Sequence, residues 1–216
     1  FTPFEKATLT LGGRYTDETK KVAFTANAAP GIAAAPTAAT RVNTANLIAA
    51  GIPLELNTAL FTPRIAFKYD VSDDMNVFAS ATRGFKSGGW NARGTAPVAN
   101  QPFAPETVWS YEFGLRSEWL DRTLRLNLTG FILDVEDLQT PAGFVAPNGA
   151  ISFITRNFAG MKNSGVEAEL IYAPTENLNL FLFAGSQDAK YQDVSPSILT
   201  QQVSCKAAIA GTGGRA

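Results

Sequence analysis

Seven stretches of the chain alternate apolar and polar residues with a period of two, the pattern of a strand that meets a different environment on each side. In the first, Ala7, Leu9, Leu11, Gly13 and Tyr15 oppose Thr8, Thr10, Gly12, Arg14 and Thr16. The second sets Phe61, Pro63, Ile65, Phe67 and Tyr69 against Thr62, Arg64, Ala66 and Lys68. In the third, Val77, Ala79 and Ala81 oppose Asn76, Phe78, Ser80 and Thr82. The fourth is the cleanest, with Trp109, Tyr111, Phe113 and Leu115 facing away from Ser110, Glu112, Gly114 and Arg116. A fifth places Leu124, Leu126, Leu128 and Ile132 opposite Arg125, Asn127 and Thr129, with Phe131 breaking the polar row. The sixth puts Val166, Ala168, Leu170 and Tyr172 opposite Glu167 and Glu169. The seventh, from Leu178 to Ala184, is apolar on both sides because Phe181 and Phe183 join Leu180 and Leu182.

The connections alternate too. Asp70–Asp74, Leu120–Arg122 and Pro174–Asn177 are short, polar hairpin turns. Between them lie long connections over residues 17–60, 87–105 and 139–164, a length that in compact proteins usually carries function. The first contains an Ala/Pro-rich run, Ala28–Pro36, of low complexity, and Thr44–Ala50 is expected to form a short helix. Short turns at one end and long loops at the other describe an antiparallel transmembrane β-barrel segment, with periplasmic turns and extracellular loops.

Alternation alone also fits a half-buried soluble sheet. Three features favour the membrane. Trp109 and Trp119 share one apolar face ten positions apart. That is about 33 Å along the strand, or about 25 Å along the membrane normal at a tilt of about 40°, the height of a barrel's apolar band. Tyr15, Phe61, Tyr69 and Tyr172 take similar bracketing places, so these six aromatics are expected at the membrane interface. Arg14, Arg64, Lys68, Glu112, Arg116, Arg125, Glu167 and Glu169 all fall in polar rows and are expected to face a watery lumen. A charge facing lipid at mid-membrane costs about 2–4 kcal/mol, which explains the uncharged opposite rows. Lastly, each segment approaches the roughly 9–11 residues of a membrane strand.

Composition removes other classes. Charged residues make up 17% of the 216 and the net charge is −1, so nothing draws the chain to nucleic acid. No apolar run reaches the ~18 residues of a membrane helix. Histidine is absent and Cys205 is the one cysteine, so no metal site, cofactor site or catalytic constellation is expected, and the chain is not expected to be an enzyme. Cys205 reads either as a free thiol or as half of a pair with a cysteine outside the chain. The first residue is Phe with no export signal after it, and the pattern favours a chain cut at both ends.

Several strings resemble TonB-dependent receptors: Thr82-Arg83-Gly84-Phe85-Lys86-Ser87-Gly88-Gly89-Trp90-Asn91, the segment Pro105–Glu118, Phe131–Gln139 and Asn163–Leu170. The resemblance covers most of the chain outside the first and last loops. It implies a 22-stranded barrel around an N-terminal plug, in the bacterial outer membrane, energised by TonB and its inner-membrane partners through a short N-terminal box. On that reading, residues 1–216 are about seven consecutive strands of one barrel domain, with plug, box and closing strand outside them.

The expected function is therefore TonB-energised uptake of a large scarce solute such as a siderophore, the partners being outer-membrane lipid, TonB and the solute. A passive porin-like channel and a soluble all-β binding or adhesion module are the alternatives. Arg83, Lys86, Trp90 and Asn91 are the candidate ligand contacts, since cationic and aromatic groups at a barrel mouth suit siderophores or oligosaccharides. The competing view is that Gly88 and Gly89 permit a turn and Trp90 anchors the interface. Other motifs carry less. Glycines around Lys86 lack the spacing and helix of a phosphate loop, Asn127-Leu128-Thr129 is a chance glycosylation pattern, Glu167 with Glu169 reads as solvated wall, and Asp70, Asp73 and Asp74 read as turn residues.

Overall fold

The computed structural model describes residues 5–24, 42–92, 97–145 and 151–194; the Ala28–Pro36 run and Cys205 lie outside them. In chain order the elements are β1 (Ala7–Lys21), α1 (Thr44–Ala49), β2 (Glu55–Ser72), β3 (Met75–Lys86), β4 (Gly89–Trp90), a 3₁₀ turn (Pro97–Ala99), β5 (Pro102–Phe103), β6 (Glu106–Trp119), β7 (Leu124–Glu136), β8 (Gln139–Val145), β9 (Ile151–Asn157), β10 (Gly160–Thr175) and β11 (Leu178–Gln192). The seven long strands form one antiparallel meander, β1-β2-β3-β6-β7-β10-β11, while β4-β5 and β8-β9 are separate two-stranded hairpins in the loops. The seven alternating segments are those seven strands.

Residues directly opposite in neighbouring strands share a face, so the register shows whether the alternation agrees from strand to strand. It does. Leu9, Phe67, Ala79, Phe113, Gly130 and Val166 are linked pair by pair across six strands. Lys68, Phe78, Gly114, Thr129 and Glu167 do the same on the other face. A one-residue slip anywhere would invert every side chain beyond it.

The apolar side is uncovered. Leu11 is 68% exposed, Phe113 57% and Val166 60%, with no helix or second sheet among the described residues against them. Aromatic rings lie along the sheet rather than out of it: Phe113 covers its cross-strand partner Gly130, where an added Cβ would come within 2.5 Å of the ring. Trp119 Nε1 donates to Ser117 Oγ at 3.0 Å, which in turn donates to Leu126 O at 2.9 Å, so the indole's polar edge is satisfied.

The upper limit of this apolar side is oblique. On β1 it is Tyr15, before Asp17; on β6 it is Trp109; on β7 Ile132, before Asp134; on β11 Ala184, before Ser186 and Asp188. Ala184 is linked through Ala168, Leu128, Leu115, Val77 and Tyr69 to Ala7, not to Tyr15. The limit thus falls from the level of Tyr15 to that of Ala7, about 26 Å along the strand, over six strand spacings of about 4.8 Å. That slope is about 40°, the tilt of strands in an outer-membrane barrel. A flat membrane edge crossing tilted strands draws this line.

Two of the turns are tighter, and the first and third loops shorter, than the alternation alone indicates. Two turns contract to Asp73-Asp74 and Glu176-Asn177, and the third is Leu120–Thr123. At the other end β1 runs to Lys21, β2 starts at Glu55, β7 ends at Glu136 and β10 starts at Gly160, so the boundaries at residues 17, 60, 139 and 164 are corrected. These extensions carry charge on both faces, as in Asp17, Glu18, Lys20 and Lys21, which hid their continuity with the apolar alternation. The helix expected at residues 44–50 is α1, capped by Asn43 Oδ1 accepting from Asn46 N.

Leu120, Asp121 and Arg122 all adopt left-handed backbone, with φ of 55°, 53° and 68°. Arg122 ties this turn to the first one through Asp74 Oδ1 at 3.0 Å and lies 3.5 Å from Glu118. The hydrogen bond to Asp74, with the charges of Asp74 and Glu118, raises the Arg122 pKa above its ordinary value.

Two predictions follow from this geometry. Leu11→Lys, at the middle of the apolar band, is expected to destabilise the protein in lipid vesicles by about 2–4 kcal/mol in urea unfolding, whereas the neighbouring Thr10→Lys on the polar face should cost less than about 1 kcal/mol. Equal losses would contradict the assignment of faces. Asp121→Gly relieves a non-glycine left-handed residue and should raise the denaturation midpoint, by up to about 1 kcal/mol in stability.

Candidate functional site

The polar face begins the site. Arg14, Arg64, Lys68, Glu112, Arg116, Arg125, Glu167 and Glu169 all project from it, and the six aromatics expected at the interface all project from the other. Near its centre Arg116 lies over the Phe78 ring, 4.7 Å from the centroid, and donates to Thr129 Oγ1 at 3.0 Å. Asn127 Nδ2 donates to Glu169 at 3.2 Å. Arg116, Asn127, Thr129, Glu167, Glu169 and Phe183 line a recess of about 450 Å³. Arg125 pairs with Glu118 at 2.8 Å nearer the turns. Among the described residues Glu112, Glu167 and Glu169 form no ion pair, although each is a carboxylate on a wall.

At the loop end, polar-face side chains reach into the connections. Lys20 Nζ donates to Gly88 O at 2.9 Å and pairs with Glu18 at 3.1 Å. Glu106 accepts from Gln139 N at 2.7 Å. The buried Gln139 donates from Nε2 to Ser87 O at 3.1 Å and Ala104 O at 3.0 Å.

The four candidate ligand contacts are not brought together. Arg83 stands opposite Trp109 on the apolar face, at the upper limit of the band. Lys86 is exposed on the polar face, opposite Glu106. Trp90 Nε1 donates to Pro53 O at 2.7 Å, which ties the second long connection to the first. Asn91 spends its amide on backbone: Nδ2 donates to Gln101 O and Thr155 O, and Oδ1 accepts from Thr155 N at 2.6 Å. Gln139 and Asn157, which complete these ties, escaped the sequence reading. Isolated amides in a connection give no periodic signal, and their partners in the second connection are backbone groups more than thirty residues away.

Comparison with known proteins fits this geometry. The profile of the family described as TonB dependent receptor-like, beta-barrel matches residues 1–207. The ferric-pyoverdine 358 receptor of Pseudomonas putida is 25% identical over 142 residues, which is 66% of this chain and 16% of that receptor. The metal-pseudopaline receptor CntO of Pseudomonas aeruginosa is 34% identical over 79 residues, 37% of this chain and 10% of that protein. Among solved structures, the FrpB iron transporter from Neisseria meningitidis superposes with a TM-score of 0.60 at 14% identity, covering 90% of this chain and 25% of that one. The alcaligin outer-membrane receptor FauA from Bordetella pertussis gives 0.54 at 21% identity, over 91% and 29%. The chain thus spans about a sixth or less of the curated relatives it matches. Matched over nearly its whole length, and built with one side for lipid and one for water, the chain belongs to the TonB-dependent receptor β-barrel family of the bacterial outer membrane.

Proposed function

We propose that the chain is a stretch of barrel wall in a receptor for TonB-energised uptake of a large, scarce solute of the siderophore type. The observation that carries this reading is the division of one unbroken sheet into an uncovered apolar face and a charged polar face. Relatives named for ferric-pyoverdine and metal-pseudopaline support the solute class. The outer edges of β1 and β11 have no neighbouring strand in the seven-stranded sheet. Each unsatisfied backbone group in hydrocarbon costs several kcal/mol, so in the whole receptor those edges pair with further strands of the barrel.

The polar face is then the lumen wall, and the unpaired carboxylates Glu112, Glu167 and Glu169 meet the plug. Of the four loop-end candidates, exposed Lys86 at the end of β3 is the proposed contact for an anionic solute, while Trp90 and Asn91 hold the connection that follows it.

Deleting the gene is expected to abolish uptake of radiolabelled iron carried by the cognate siderophore, and so is removing TonB while leaving the gene intact. Uptake that persists without TonB would make the protein a passive channel. Reversing two of these carboxylates, Glu167→Lys with Glu169→Lys, should loosen the plug and sensitise cells to large antibiotics, with unheated gel mobility unchanged. Unaltered sensitivity would show that the plug does not rest on this wall.

A further inference from the structure

Apart from Ala7 at the turn end of β1, the most enclosed apolar side chains among the described residues are in the loops. Leu47 and Ala99 are wholly buried, Ile154 is 1% exposed and Ile52 3%. They come from three different long connections, and α1 of the first packs against the 3₁₀ turn of the second. Strand β5 of the second packs against β9 of the third.

Two asparagines bind these connections reciprocally. Asn91, in the second, takes both backbone groups of Thr155 in the third: Nδ2 donates to Thr155 O at 2.9 Å and Oδ1 accepts from Thr155 N. Asn157, in the third, takes both backbone groups of Ala104 in the second: Oδ1 accepts from Ala104 N at 2.7 Å and Nδ2 donates to Ala104 O at 3.0 Å. Each side-chain amide replaces the peptide group that a neighbouring strand would supply. Asn157 Nδ2 also donates to Asp137 O at 2.6 Å. Gln139 adds bonds to the carbonyls of Ser87 and Ala104, and Trp90 draws in the first connection at Pro53. Both bonds of each pair are lost together when one connection moves away from the other, so the clamp acts as a network rather than as separate contacts.

We propose that the described parts of the three long connections of this wall are one mechanical unit, a cap that opens together and that Asn91 and Asn157 hold closed. Loops that were separate lids would admit solute one at a time. A single cap gives the wall two states, and any solute that displaces one connection displaces all three. The inference rests on the loop geometry and holds whether or not the transported solute is a siderophore.

Hydrogen exchange on the whole receptor in detergent tests it. In the wild type, amides of residues 44–52, of 88–92 with 97–103, and of 151–157 should share one opening free energy, slower-exchanging strands such as Glu106–Trp119 lying above it. Asn91→Ala and Asn157→Ala, though they alter different connections, should each accelerate exchange in all three segments by about tenfold or more and leave the barrel strands unchanged. Acceleration confined to the connection that carries the substitution would overturn the proposal. So would wild-type opening rates that differ among the three segments by more than about tenfold, a comparison that needs no variant.

Discussion

Hydrocarbon offers a peptide group no partner, so every N–H and C=O inside the membrane must be paired by a neighbouring strand. The rest of this structure follows from that demand. It requires an unbroken register, and an unbroken register makes the parity of each strand the parity of all of them. The apolar row through Leu9, Phe113 and Val166 and the polar row through Lys68, Gly114 and Glu167 are two readings of the same ladder. Bulges are tolerated only near the turns, beside Asp70/Ser72 and Tyr172/Thr175, where water can reach.

Above the band the constraint relaxes and a different logic takes over. Apolar side chains there cannot face lipid, so Leu47, Ile52, Ala99 and Ile154 are withdrawn into the loops. Backbone that has left the ladder still needs partners. Asn91, Gln139 and Asn157 supply them, each spending its side chain on the main chain of another connection. The wall is thus stabilised by lipid on one side and pairing within the sheet, and the loop end by local burial and amide bonds.

The wall was legible in the sequence because lipid and water impose a period of two that survives even where identity with relatives is low. The aromatic brackets Trp109 and Trp119 and the charges of the polar rows all fall on their expected faces. Strand ends were not legible: Asp17 to Lys21 and residues 55–60 continue their strands beyond the lipid, where polar residues occupy both faces and alternation carries no information. Nor was the loop end. Trp90 and Asn91 stood out by chemistry, but their partners Pro53 and Thr155 are backbone groups that no residue type marks. Arg83 shows the limit most plainly, since its string suggested the barrel mouth while its parity sets it beside Trp109.

Depth within the bilayer tests the tilted band most directly. Leu11 and Ile132 lie on one hydrogen-bonded row, through Ile65, Ala81 and Tyr111, whereas Leu128 lies four residues lower on β7. Nitroxide labels at these three positions, read by oxygen against a water-soluble relaxant, should place 11 and 128 at similar depth near the bilayer centre, with 132 shallower than 128 by about 10 Å. Equal depths at 11 and 132, with 128 displaced from both, would mean that the strands stand upright and that the oblique apolar limit is not a membrane edge.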